Sequence, residues 1–166
     1  MAFAYLLNKN WQAKQTYDLW VFSFAHVGFL FGILGLLSGM IWAKFTWGEA
    51  WSNDPKQNAS ALALLLYGAY FMLRLSVPDR IKKANISAIY NIFGCLLMLP
   101  LLFLLPRLTD SLHPGSGGNP GFNAYDLDDR LRTVFYPAII GWGALGLYLT
   151  ILKYQIQYLK FLGTKS

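Results

Sequence analysis

The residues best placed to do chemistry sit in one short stretch, Trp42-Ala43-Lys44-Phe45-Thr46-Trp47-Gly48-Glu49-Ala50-Trp51-Ser52-Asn53-Asp54-Pro55. It gathers three tryptophans, Lys44, Glu49 and Asp54 between two long apolar runs. Indole faces beside a membrane, with few charges, suit a flat, apolar, weakly anionic ligand such as heme. The same residues also fit an interfacial aromatic belt, where tryptophan is enriched. A second candidate is His113, in the long connection Arg107 to Leu131. Loops beyond roughly 12–15 residues are usually functional or disordered. A histidine there can be an axial ligand for heme iron, or a solvated loop residue. The acids Asp126, Asp128 and Asp129 lack the glycine and distal glutamate of an EF-hand loop. They read instead as a charge cluster favourable to the N-terminus of the following helix.

Other reactive residue types carry less. His26 lies about fifteen residues before the outer end of its apolar run, roughly 22 Å deep at helical rise. An ionisable group inside a span is a functional hypothesis by default, and a neutral packing histidine is the alternative. The single cysteine, Cys95, sits inside an apolar run and reads as a small core residue. Without a CxxCH motif the chain does not itself attach a c-type heme covalently. No nucleophile–base pair or metal-ligand cluster stands in the outer loops, which favours a transport or assembly protein over an enzyme.

Position for these residues must come from a membrane. The chain has 166 residues, 55% hydrophobic and only 13% charged, against about 25% charged in soluble domains. Four apolar runs, about 19–41, 58–75, 86–106 and 133–153, have the roughly 20 residues that cross a ~30 Å hydrocarbon core. All should be helices, because a lone lipid-exposed strand leaves its backbone polar groups unsatisfied. The expected fold is an all-α integral membrane protein, a single membrane domain over 1–166. Two functional outer loops, 42–57 and 107–132, complete it. Gly28, Gly32, Gly35 and Gly39 in the first span allow close helix contact, as do Gly141, Gly143 and Gly146 in the fourth. Pro100 and Pro106 should kink or end the third, where Asn91 reads as a bridge between helices. The basic and aromatic tail from Lys153 to Phe161 reads as an interfacial anchor.

Charge sets the orientation. The N-terminal stub, the Arg74–Lys83 turn and the tail carry nine Lys or Arg against two acids; the other side carries five against six. By the positive-inside rule the Trp-rich loop and the Arg107–Arg132 loop face outward. The net charge of +6 is therefore mostly topological, and it argues against a nucleic-acid partner and for membrane lipid.

The core Trp-Gly-x-x-Trp-x-x-Asp, at Trp47, Gly48, Trp51 and Asp54, follows Trp42-Ala43-Lys44 after a glycine-containing helix. It resembles the tryptophan-rich signature of the heme-handling proteins of cytochrome c maturation, the CcmC/CcmF/CcsA superfamily, and within it the heme exporter C (CcmC) family. Leu108-Thr109-Asp110-Ser111-Leu112-His113-Pro114 resembles the segment of that family's second outer histidine. The resemblance runs from about Tyr17 to Leu152. The chain departs from the signature at Ala50 and Asn53, where further tryptophans are usual, and at Asp54-Pro55-Lys56-Gln57-Asn58, where Asp-x-Arg-Leu-Thr is usual. The family has six spans and a first outer histidine upstream of the Trp loop. By that measure Met1–Leu7 is the remnant of a preceding helix, and the chain is short by about two spans.

The resemblance implies transport of heme b, bound non-covalently and transiently, at the outer, periplasmic face of the bacterial inner membrane. It implies transfer to the heme chaperone CcmE, with CcmA, CcmB and CcmD as complex partners. Trp42, Trp47, Gly48 and Trp51 would form the aromatic platform, and His113 would ligate the iron. Lys44, Lys56 or Arg107 would pair with the propionates, and Asp54 would orient the loop by accepting backbone hydrogen bonds. A non-heme membrane subunit of a redox or quinone-linked complex is the competing class, since it too carries Trp belts and a loop histidine.

Overall fold

Asparagine or aspartate caps each long helix, and those caps set where the elements begin. The computed structural model describes residues 1–109, 111–112 and 128–163. Its elements are α1 (Ala2–Leu7), α2 (Trp11–Trp47), α3 (Pro55–Ser76), α4 (Arg80–Leu99), a π-helical segment (Pro100–Leu104), α5 (Leu105–Leu108) and α6 (Asp129–Gly163). Asn10 Oδ1 accepts from the amides of Gln12 and Ala13 at the start of α2. Asp54, Asp79 and Asp128 accept from Lys56, Lys82 and Leu131 at the starts of α3, α4 and α6. Each side chain thereby satisfies a donor that has no partner within its own helix. Asp128 and Asp129 thus stand at the N-terminus of α6, as their charge suggests; Asp126 lies outside the described residues.

Four helical stretches are long and apolar enough to cross a membrane: Trp11–Trp47, Pro55–Ser76, Arg80–Leu104 and Asp129–Gly163. The protein is an all-α integral membrane protein. The helices outrun the spans read from hydropathy. At 1.5 Å per residue, the 37 residues of α2 reach about 55 Å, well past the hydrocarbon. Apolar runs mark only the lipid-facing part, whereas backbone hydrogen bonding continues until a residue such as Gly48 stops it. Large apolar side chains face outward, as a helix surrounded by lipid requires; Leu65 and Ile140 are among the most exposed.

Between Leu99 and Leu105 the α-helical ladder widens, and the amide of Leu105 reaches the carbonyl of Pro100. Proline has no amide hydrogen, and its ring crowds the preceding turn. Pro100 therefore widens the helix into a π-helical segment without ending it, since the chain continues into α5.

α2 is the central element, in contact with α1, α3, α4 and α6. Its glycine stripe behaves differently from the expectation. Only Gly32 makes a close approach: a Cβ there would lie 2.7 Å from Leu64 Cδ2 on α3. Gly28, Gly35 and Gly39 face open space. In α6, Gly146 approaches Phe31 of α2, while Gly141 and Gly143 meet nothing. Cys95 is exposed on α4, so it is not the core residue its apolar neighbourhood suggested; the helical phase turns it outward. The Asn91 amide donates to the Ser87 carbonyl of its own helix, and its side chain also hydrogen-bonds Tyr70 of α3, the bridge between helices expected of it.

α1 packs on α2 and α4. Tyr5 is buried and donates to Asn85 Oδ1 at 2.9 Å. Burial raises the pKa of its phenol, the Asp18 carboxylate adds to that and Arg74 opposes it. The group therefore stays a neutral donor.

Candidate functional site at the two outer loops

α2 ends where its backbone turns left-handed at Gly48, with φ +84°. Glycine adopts that conformation without the clash a Cβ brings. One turn earlier, Lys44 folds back and its Nζ donates to the Gly48 carbonyl at 2.8 Å. A cation at a helix C-terminus also meets the negative end of the dipole. The indoles of Trp42 and Trp47, five residues apart on the last turns, meet edge to face at a centroid distance of 5.0 Å. Trp42 stays 47% exposed, so this pair presents aromatic surface beside the loop. Trp51 is half-buried.

The loop then returns to α3 through a set of side-chain latches. Gln57 is buried; its Oε1 accepts from the amide and hydroxyl of Ser52, and its Nε2 donates to the Ala50 carbonyl. Asn58 Nδ2 donates to the carbonyl of Asn53, which itself sits at φ +54°. Asparagine is one of the few residues that tolerates that region. The first turn of α3 is thus sewn to the Trp-rich loop.

Asp54 is the joint of the site. It is only 3% exposed. Its Oδ1 accepts from the Lys56 amide, capping α3, with Pro55 set at the first helical position. Its Oδ2 accepts from Ser111 Oγ at 2.8 Å and from the Leu112 amide at 2.6 Å. Hydrogen bonds to a carboxylate are shorter and stronger than neutral ones. One side chain therefore holds the second outer loop against the first.

His113, the residue after Leu112, lies outside the described residues, as does the side chain of Arg107, whose backbone belongs to α5. The structure therefore brings together Trp42, Lys44, Trp47, Gly48, Trp51, Asp54 and Lys56, and it brings Leu112 to them. His26 is elsewhere. It sits on α2 among Phe22 and Phe71, at centroid distances of 5.7 and 5.5 Å. The sixteen residues from His26 to Trp42 along the unbroken α2 correspond to about 24 Å.

Beneath the loops, a cavity of about 810 Å³ runs between α2, α3 and α4. Gly28, Gly32, Gly35 and Gly39 form its floor, and Lys56 and Gln57 belong to its wall.

The chemistry of this set fits heme. Exposed indole faces suit a porphyrin, and Lys44 and Lys56 bring positive charge to the same loop. Among the described residues no three His, Cys, Asp or Glu side chains form a metal cluster. Heme iron asks the protein only for axial ligands.

Sequence reasoning missed Gln57 and Ser111. Gln57 carries no sequence signal for its latch, and Ser111 lies 57 positions from its partner.

The family model described as "Cytochrome C assembly protein" matches residues 1–113. Heme exporter protein C of Haemophilus influenzae is 28% identical over 163 residues, covering 96% of this chain and 64% of that protein. Cytochrome c biogenesis protein CcsA of Arabidopsis thaliana is 32% identical over 104 residues, 63% of this chain and 31% of the relative. The CcsA of Pelargonium hortorum is 37% identical over 76 residues. The chain thus spans about a quarter to a third of these CcsA relatives and just under two thirds of heme exporter protein C.

Proposed function

The chain belongs to the cytochrome c assembly protein family, and on that premise we propose that it carries heme b for cytochrome c maturation, on the loops joined by Asp54. Its role in cytochrome c biogenesis rests on the family match and the heme exporter relative. The cargo site is the Trp-rich loop. Trp42, Trp47 and Trp51 supply apolar and π surface for the porphyrin edge. Gly48 turns the chain so that the Trp42–Trp47 pair lies at the end of α2. His113 ligates the iron through an imidazole nitrogen. Lys44, Lys56 or Arg107 pairs with the propionates, Arg107 bidentately where it is the partner. Lys44 has first to leave the Gly48 carbonyl it now caps.

The observation that carries this reading is the pair of hydrogen bonds from Ser111 and Leu112 to Asp54 Oδ2. They bring the chain, one peptide bond before His113, to the Trp-rich loop. Binding is non-covalent and transient, because the work is transfer and no bond-making is assigned to this chain. By the charge asymmetry the two loops lie on the periplasmic side of a bacterial inner membrane. There the heme passes to the chaperone CcmE, with CcmA, CcmB and CcmD as partners; this chain, 1–166, acts as a single membrane domain.

The test is transfer. The detergent-purified chain, loaded with heme and freed of excess, is mixed with heme-free CcmE and the two are separated. Heme absorbance moving to the CcmE fraction supports the reading. Heme that stays with the chain, or is never retained, refutes it.

A further inference from the structure

A second pocket lies at the end of the bundle away from the Trp-rich loop. It has a volume of about 250 Å³, and Arg74, Arg80, Lys83 and Lys160 line it. The only carboxylate lining it among the described residues, Asp18, is held by both terminal nitrogens of Arg74, at 2.7 and 3.0 Å. With Arg74 and Asp18 offsetting each other, Lys83 and Lys160 carry the net positive charge the pocket offers to an anion. Lys83 and Lys160 have no ion-pair partner among the described residues. The pocket sits where α3 ends and α4 begins.

The rest of the wall is interfacial. Trp11 is partly exposed, and the Arg80 guanidinium lies 5.5 Å from the Phe161 ring centroid. The chain neighbours of the lining cations, Ile81 and Leu159, are exposed and apolar. An anion bound here therefore has a hydrocarbon-facing surface beside it. That combination differs from a site for a free ion, which needs no apolar flank.

We propose that this pocket binds the phosphate headgroup of an anionic phospholipid, with its acyl chains along the apolar faces of α4 and α6. The chemistry recognised is a phosphate anion. The apolar flank and the level at which the spans end assign the source to lipid. Basic pockets between membrane helices hold anionic headgroups in this way. The proposal is independent of the heme reading, because it uses residues at the opposite end of α2.

Native mass spectrometry of the detergent-purified full chain tests it, with phosphatidylglycerol and phosphatidylcholine titrated separately. The wild type should retain phosphatidylglycerol in preference to phosphatidylcholine, which needs no variant. Lys83→Gln with Lys160→Gln should weaken phosphatidylglycerol retention roughly thirty-fold and leave phosphatidylcholine unchanged. Lys9→Gln with Lys82→Gln removes the same charge on the same side, outside the pocket, and should change little. Equal retention of both lipids by the wild type overturns the proposal. So does an equal loss in both double variants, which marks diffuse surface charge. Displacement of the lipid by inorganic phosphate at equal concentration marks a soluble-anion site and overturns the lipid assignment.

Discussion

Asp54 uses two oxygens for three tasks: it caps α3, holds Ser111 and holds the Leu112 amide. Replacing it with alanine removes the acceptor of three partly buried hydrogen bonds. Asp54→Ala should cost about 2–4 kcal/mol and reduce heme retention, because the second loop is released from the first. Ser111→Ala leaves the other two bonds and should cost about 1 kcal/mol. Thermal unfolding in detergent, followed by helical circular dichroism, compares them. Equal losses would show that the carboxylate is not the joint. At this scale the sequence was partly readable. The loop-orienting role of Asp54 followed from the family resemblance at Trp47, Gly48, Trp51 and Asp54. The identity of its far partner did not, because nothing local in Ser111 encodes a contact 57 positions away. Gln57 was likewise silent. Its latch depends on the left-handed turns at Gly48 and Asn53, which place the Ser52 and Ala50 backbone within its reach.

Helix existence was legible from hydropathy, whereas helix length and phase were not. The run 19–41 ends where lysine and threonine appear, yet α2 continues to Trp47, since helical hydrogen bonding does not require lipid. The small-residue pattern in α2 was visible, but which glycine touches a neighbour depends on the packing of α3. Only Gly32 has that contact, and the others floor the 810 Å³ cavity. A discriminating pair follows. Gly32→Ile forces its side chain into Leu64 and should cost about 1–3 kcal/mol of overpacking. Gly35→Ile enters open space and should cost less than 1 kcal/mol, helped by the better helix propensity of isoleucine. Unfolding in graded denaturing detergent reads both. A larger loss at Gly35 would contradict the packing of α2 on α3.

Across the whole molecule, two ends of one bundle carry different chemistry. The end with the Trp-rich loop has aromatic surface and the Asp54 joint. The other has the Arg74–Asp18 pair, whose side chains are 12% and 17% exposed, with the Arg74 guanidinium 4.9 Å from the Phe22 ring centroid. Sequence reading put both residues on the positive side and counted their charges. Their pairing, across 56 positions, emerged only from the packing of α2 against α3. Arg74→Ala leaves a partly buried carboxylate without its bidentate partner and should destabilise the protein by about 2–3 kcal/mol, less than a fully buried pair, whereas Arg74→Met with Asp18→Leu should recover most of that loss. Chemical unfolding of the three proteins in one detergent checks this. A double variant as unstable as the single one would show that the pair contributes more than mutual neutralisation.

On the proposed heme reading, the separation of the two ends favours His113 over His26 as the ligand. His113 follows the segment tied to Asp54, and His26 sits about 24 Å along α2 from Trp42. The central measurement is the Soret absorbance of the detergent-purified chain supplied with heme, for the wild type, His113→Ala and His26→Ala. A band present in the wild type, lost in His113→Ala and kept in His26→Ala is the predicted result. A band that survives His113→Ala, or that vanishes with His26→Ala instead, contradicts the placement of heme at the Trp-rich loop.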